Sequence, residues 1–316
     1  MLKVAVIGCG YWGSNLVRNF YDLGVLNTIC DSDTTRLETA GAKYPDVRIT
    51  KSFDSVLKSE IEAVAIATPA STHFALAREA LLSGKDVFVE KPLALRVEEG
   101  EELAALSKKK GRVLMVDHIL QYHPAIVKLE ELIKKGELGE LRYVYSNRLN
   151  MGKIRKEENI LWSFAPHDIS LILNIVGSLP ESVNSHGAVY LQHDVEDVTL
   201  TFMKFPDGIN AHIFVSWLNP FKEQKFVVVG SDKMAVFDDV GEDKLVMFPH
   251  KIGWNGDIPV ASKAEAQKVS VEKKEPLRES CSHFMDCIKD RKTPLTDGVE
   301  GLRVLKVLNW AQESMG

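Results

Sequence analysis

Residues 3–13, KVAVIGCGYWG, restrict the fold of this chain more than any other stretch. A largely β-branched run, Val4, Ala5, Val6 and Ile7, leads directly into Gly8, Gly10 and Gly13, the spacing GxGxxG, and residues 12–22 then follow a helical pattern. A strand that feeds a helix through such a turn needs each glycine for its own reason. Gly8 permits the tight turn, Gly10 lets backbone approach a pyrophosphate, and Gly13 lets the helix pack closely on the strand. The unbonded N–H groups and the dipole at the helix start favour an anion. Ordinary tight turns show the same spacing, so the context carries the reading.

That context is a second apolar run, residues 25–30, which ends in Asp31, 18 residues after Gly13. An acid about 20 residues beyond the turn meets ribose hydroxyls in dinucleotide-binding units. The competing reading makes Asp31 a helix N-cap. A carboxylate there repels a 2′-phosphate, which favours NAD over NADP, with Arg36 as the nearby residue that speaks for NADP.

From residue 1 to about 118 the strand–helix alternation repeats, with Gly24, Gly84 and Gly111 placed as left-handed helix ends before apolar runs. Residues 63–67 and 87–89 are short, continuously apolar runs of the kind found in parallel strands buried on both faces. Helices over 72–83 and 97–109 cross between them. The pattern predicts an α/β, doubly wound parallel sheet over residues 1–120, in which ligands bind at the carboxyl ends of strands. Two such ends carry polar chemistry: Ala67-Thr68-Pro69 and Glu90-Lys91-Pro92.

Beyond His118 the periodicity changes. A helix over 124–135 gives way to alternating runs at 142–149, 195–203 and 209–217, followed by 226–229 and 234–237. Alternation implies strands with one covered face, so residues 121–316 are expected to form an α+β domain with a large, open, mainly antiparallel sheet. Residues 249–274, polar and rich in lysine, read as a long surface loop or arm, and 276–289 and 299–314 as helices.

The 316-residue chain is long enough for two cores, and 45% hydrophobic with 26% charged residues suits a folded globular protein. A net charge of −5 provides no basic field for nucleic acid or an anionic membrane. No apolar run reaches membrane-spanning length, and Met1-Leu2-Lys3 leads straight into the first strand, so a cytoplasmic location is expected. Cys9, Cys30, Cys281 and Cys287 include no CxxC pair and the nine histidines show no paired ligand spacing, so reduced cysteines and no metal are expected.

Two residues stand out for chemistry. Lys91 directly follows a buried strand, where partial desolvation would lower its pKa and let it exchange a proton with a hydroxyl; the alternative is a solvated surface lysine. His167, in Trp162-Ser163-Phe164-Ala165-Pro166-His167-Asp168, precedes an apolar helix expected over 169–176. A helix N-terminus would hold its imidazole neutral and able to accept a proton, with Asp168 as cap or orienting partner; the alternative is a structural histidine at a helix start.

Together the glycine turn, Asp31, Thr68-Pro69 with Thr72-His73, Glu90-Lys91-Pro92 and Pro166-His167-Asp168 resemble the Gfo/Idh/MocA oxidoreductase family over essentially the full chain. The resemblance implies a Rossmann NAD domain and a catalytic pair, Lys91 and His167. It implies a cofactor site formed by Gly8, Gly10, Tyr11, Trp12, Gly13, Asp31, Thr68, Pro69, Thr72, His73, Glu90 and Lys91. Within the family, Trp162 and the segments 275–279 and 294–298 look most like nucleotide-sugar 3-dehydrogenases, which act on UDP-N-acetylglucosamine or its uronic acid. Tyr122, His123, Arg148, Arg155, Trp162, Ser163 and Asp168 are then candidates for the substrate side, and Arg148, Lys153 and Arg155 for a diphosphate or carboxylate, against a solvated basic loop. Two departures stand out: Ser163 occupies the place of a frequent aspartate, and His123-Pro124 replaces the usual asparagine–proline. An inositol or free-aldose dehydrogenase, and a non-catalytic NAD-sensing regulator, are the rival readings. Family analogy also implies a homodimer or homotetramer paired through the open sheet.

Overall fold

A computed structural model describes residues 2–316 except Lys153 and Glu157. The chain divides into two compact units, Met1–Tyr122 with Glu275–Leu305, and His123–Lys274 with Lys306–Gly316. A single boundary at residue 120 therefore misses the return of 275–305 to the first unit, because the partners of that helical segment lie far back in sequence.

In the first unit, β1 (Val4–Ile7), β2 (Leu26–Cys30), β3 (Arg48–Thr50), β4 (Ala63–Ile66), β5 (Asp86–Val89) and β6 (Leu114–Val116) form a parallel six-stranded sheet. Its order is β3-β2-β1-β4-β5-β6, with the chain reversing direction across the sheet at β1 and β4. Helices α1 (Gly13–Asp22), α2 (Thr34–Lys43), α3 (Phe53–Leu57), α4 (His73–Leu82) and α5 (Val97–Lys110) connect the strands. β1, β4, β5 and β6 are buried throughout, which is why they read as continuous apolar runs rather than alternations, with buried Asp86 at the start of β5 as the exception. One core layer sets Leu16, Phe20 and Phe88 against Leu277, Cys281 and Phe284 of the late helix Pro276–Asp290. The opposite layer gathers Ile66, Leu81, Val87 and Leu103. Gly111 closes α5 in the left-handed conformation, as expected.

In the second unit, α6 (Pro124–Lys134) precedes β7 (Leu141–Leu149), and α7 (Ile160–Val176) precedes β8 (Ser182–Ala188), β9 (Val198–Lys204), β10 (Asn210–Ser216), β11 (Glu223–Gly230), β12 (Met234–Asp238) and β13 (Leu245–Phe248). Two strands, β14 (Lys251–Asn255) and β15 (Ile258–Ser262), pair only with each other, and β16 (Gln267–Lys268) returns to the main sheet. The eight-stranded order is β16-β13-β12-β11-β7-β10-β9-β8, antiparallel except for the parallel pair β7–β10 at its centre. The expected long loop at 249–274 is therefore a hairpin and an edge strand. Its hairpin residues are all exposed, which leaves no one-faced alternation for the sequence to reveal. Among the described residues no helix is long and apolar enough to cross a membrane.

Candidate functional site

The glycine turn has the shape its spacing predicts. Gly8 takes φ +90°, and a Cβ there would stand 2.8 Å from the Ala67 carbonyl oxygen. A Cβ on Gly13 would stand 2.0 Å from the Gly8 carbonyl oxygen, so the start of α1 packs on the turn itself. Gly10 differs: its missing Cβ would face only the Arg36 guanidinium, at 3.4 Å. The turn is thus closed behind Gly8 and Gly13 and open over Gly10, a cradle that fits the pyrophosphate of a dinucleotide. Tyr11 points to solvent, while the Trp12 indole N–H donates to Glu90 Oε1.

Asp31 follows the last residue of β2. Its Oδ2 accepts the Cys9 amide at 2.7 Å and its Oδ1 the Asp33 amide at 2.9 Å. Burial pushes its pKa up, but the two backbone amides and Arg36 outweigh burial and hold it below the ordinary carboxylate value. The N-cap of α2 is Asp33, whose side chain accepts the Arg36 amide, so Asp31 is not the helix cap.

At the end of β4, Thr68 Oγ1 and Thr72 Oγ1 lie 2.7 Å apart, and Thr72 also donates to the Pro69 carbonyl. His73 is buried, with Nδ1 2.8 Å from the Pro92 carbonyl oxygen and Nε2 2.9 Å from that of Thr68. Its ring thus ties the turn after β4 to the turn after β5 instead of facing solvent. At the latter turn stand buried Glu90, half-buried Lys91 and Pro92, joined by a cis Lys91–Pro92 bond. Asp117, one residue beyond β6, is buried too and accepts Ser280 Oγ at 2.9 Å. Its neighbour His118 meets Glu300 at 2.6 Å. Tyr122, a substrate candidate by sequence, is a core residue of this unit: its hydroxyl meets Thr296 Oγ1 at 3.2 Å, and burial pushes its pKa up.

In the second unit the sequence reading of α7 needs correction. The helix begins at Ile160, capped by Asn159, whose side chain accepts the Trp162 amide at 3.2 Å. His167 therefore lies about two turns inside it, and the expected helix-terminus effect on its ring does not apply. Pro166 suggests a break because proline lacks the N–H that the helix needs. Burial of Ile160, Leu161, Ala165 and Ile169 holds the helix through it.

Asp168 is neither cap nor exposed. Arg148 Nε reaches Oδ2 at 2.8 Å, Arg148 NH2 reaches Oδ1 at 3.1 Å, and Ser146 Oγ donates to Oδ1 at 2.7 Å. Arg148 is thereby committed to a buried internal pair, not left in a solvated loop. His123 caps α6, with Nδ1 accepting the Ala125 amide at 3.1 Å, and its ring packs on Phe237. Burial lowers its pKa. Trp162 Nε1 donates to Gln312 Oε1 at 3.2 Å, and Ser163 is buried. Arg155 is paired with Glu158 at 3.1 Å, and Lys153 lies outside the described residues.

The sequence reading did not single out Asp117, Ser146 or Glu300. Asp117 had one readable signal, its position just after a buried strand. The others acquire partners 22 residues away for Ser146 and 182 for Glu300, and no local pattern records such pairs.

A parallel sheet whose first turn is shaped to cradle a pyrophosphate, followed by polar turns at the carboxyl ends of β4 and β5, is the arrangement of a dinucleotide-binding domain. Residues 2–118 match the family model described as "Oxidoreductase family, NAD-binding Rossmann fold", and residues 126–236 match that of the GFO/IDH/MocA C-terminal domain. This chain belongs to the Gfo/Idh/MocA oxidoreductase family, and its first unit carries the NAD-binding Rossmann domain. The UDP-N-acetylglucosamine 3-dehydrogenase of Acidithiobacillus ferrooxidans is 27% identical over 305 residues, 96% of this chain and 94% of that one. A solved structure of that enzyme superposes with a TM-score of 0.88 at 26% identity, covering 99% of this chain and 97% of the other. The scyllo-inositol 2-dehydrogenase (NAD(+)) of Bacillus subtilis is 24% identical over 258 residues, 78% of this chain and 73% of its own length.

Proposed function

We propose that this protein oxidises a sugar hydroxyl, C3 of a UDP-N-acetylhexosamine or of its uronic acid, to a ketone. The observation that carries this reading is Lys91, half-buried at the carboxyl end of β5 in an NAD-binding domain. The near full-length similarity to a UDP-N-acetylglucosamine 3-dehydrogenase supports the substrate class. When bound, NAD would supply the hydride acceptor. The residues at Gly8, Gly10 and Gly13 would hold its pyrophosphate, Asp31 its adenosine ribose, and the turns at Thr68–Thr72 and Glu90–Lys91 its nicotinamide half. Lys91 would hydrogen-bond the reacting hydroxyl and His167 would serve as the second catalytic group, one of them taking the proton. Ser163 carries no charge, so the proton relay of this chain would rest on these two groups.

Arg148 and Asp168 hold each other in a buried pair, and His123 and Tyr122 are engaged within their own units; Arg155 and Trp162, whose partners Glu158 and Gln312 also lie in the second unit, and buried Ser163 are the remaining substrate-side candidates from the sequence. We also propose that copies of the chain pair through the open face of the eight-stranded sheet, where Tyr145 and His212 stack at 5.2 Å beside half-exposed Phe202. Light scattering on the purified protein tests that pairing.

The test of function is a thermal-shift screen with NAD, NADP, UDP-N-acetylglucosamine, its uronic acid, scyllo-inositol and glucose, followed by absorbance of the reduced nicotinamide. A ligand that binds the folded chain raises its melting temperature. Stabilisation by a UDP-sugar together with NADH formation supports the proposal. NADH formation with an inositol or a free aldose, and no response to any UDP-sugar, replaces it.

A further inference from the structure

We propose that Glu90 and Asp117 share one proton at neutral pH, held mainly by Glu90, so that a neutral Glu90 acts as a positioning residue for Lys91. The role given to Lys91 rests on the function proposed above; the shared proton does not.

β5 and β6 are parallel neighbours with Val89 paired to Val116, so the next residue of each strand, Glu90 and Asp117, continues the same ladder. The Asp117 amide donates to the Val89 carbonyl at 2.9 Å, which fixes Asp117 beside the end of β5. Both side chains are buried, Glu90 at 8% exposure and Asp117 at 1%.

The donors around them are too few for two carboxylates. Trp12 Nε1 donates to Glu90 Oε1, Ser280 Oγ donates to Asp117 Oδ1, and Asp117 Oδ2 is buried with no donor facing it. Two adjacent buried anions would repel, and an acceptor without a donor would carry its full desolvation cost. One proton on Glu90, donated to Asp117 Oδ2, removes both penalties. The surrounding groups agree with that placement. Burial, then the neighbouring Asp117, pushes the Glu90 pKa far up, against Lys91 and the Trp12 hydrogen bond. Burial pushes Asp117 up to about 6, with Ser280, Glu90 and His118 pulling the other way. Cys281, on the helix packed against the pair, is pushed up by its own burial and by both acids.

Lys91 and Glu90 interact electrostatically. An anionic Glu90 would favour the ammonium form of Lys91, whereas a neutral Glu90 removes that bias and lets Lys91 exchange its proton more readily. Asp117 acts one step further back, by accepting the proton that keeps Glu90 neutral.

Two substitutions separate this from a purely structural role. In Glu90→Gln the amide can donate to Asp117 Oδ2 while its oxygen still accepts from Trp12, so the melting temperature should hold and the pH midpoint of the remaining turnover should not move. Asp117→Asn offers Glu90 a donor in place of an acceptor and so favours an anionic Glu90; the pH midpoint should rise by at least about one unit. Infrared difference spectra of wild type against Glu90→Gln should show, at neutral pH, the carbonyl stretch of a protonated carboxylic acid that shifts in heavy water and fades at alkaline pH. The spectra need no substrate, so they decide the shared proton even if no sugar is oxidised. Absence of the band at neutral pH in wild type overturns the proposal. So does an equal displacement of the pH midpoint in Glu90→Gln and Asp117→Asn. If Glu90→Gln does not fold, the wild-type band and its loss at alkaline pH still give the answer.

Discussion

Arg148 grips both carboxylate oxygens of Asp168, at 2.8 and 3.1 Å, and the pair is almost wholly buried. Asp168 stands next to His167 in the chain, so this ion pair anchors the stretch of helix that bears the candidate catalytic histidine.

Removing one partner leaves the other charge buried and uncompensated. Asp168→Asn is expected to cost about 3–5 kcal/mol, read as a large fall in the midpoint of denaturant unfolding. Replacing both residues with apolar ones of similar volume should recover much of the loss. Equal destabilisation in the single and double variants would exclude this account of the pair.

The glycines of the first turn predict a contrast. Gly13→Ala drives a Cβ to 2.0 Å from the Gly8 carbonyl oxygen, so both stability and NAD affinity should fall. Gly10→Ala meets only the Arg36 side chain, at 3.4 Å, and should melt close to wild type while losing NAD affinity. Parallel thermal melts and NAD titrations check the pair.

Asp31 predicts a pH dependence. Its pKa is held below the ordinary value of 3.8, so its stabilising contribution is present above that value and is lost as pH falls through the lower folded-state pKa. Asp31→Asn cannot accept both amides with oxygen, and should destabilise by about 1–2 kcal/mol at neutral pH. The difference from wild type should shrink as the solution is made strongly acidic, in unfolding curves recorded across pH.

Asp117 predicts the opposite slope. Its pKa is raised from 3.8 to about 6, so its contribution is fully present below 3.8 and is lost as pH rises through about 6. Wild type should therefore lose stability relative to Asp117→Asn across that window, measured by the same unfolding curves.

His73 joins two turns that the sequence treats separately. His73→Ala is expected to cost about 2–3 kcal/mol and to speed amide exchange in residues 67–72 and 90–93, measured by hydrogen exchange with mass spectrometry. A loss of NAD affinity without faster exchange would mean that the ring meets the cofactor directly.

Much of the fold was legible locally. Continuous apolar runs marked β1, β4 and β5 because both faces of those strands are covered, and alternation marked β7, β9 and β10 because one face is. The short β3 lacked such a run, since its residues are exposed or half-exposed. The start of α7 was misplaced because Pro166 carries a local stop signal that burial of the surrounding apolar residues overrides. Among the candidate site residues, the glycines, Asp31 and Lys91 were readable because each sits at a fixed offset from a strand end. Arg148 and Asp168 were readable as charges but not as a pair, 20 residues apart.

Where strands end and which backbone positions admit no side chain follow from the order of residues alone, because periodicity, glycine and local sterics set them. Which polar side chains become partners is settled by packing alone. The pairing of Asp168 with Arg148, of His118 with Glu300 and of Glu90 with Asp117 depends on which elements pack side by side, and burial is what turns each neighbour into a necessary partner.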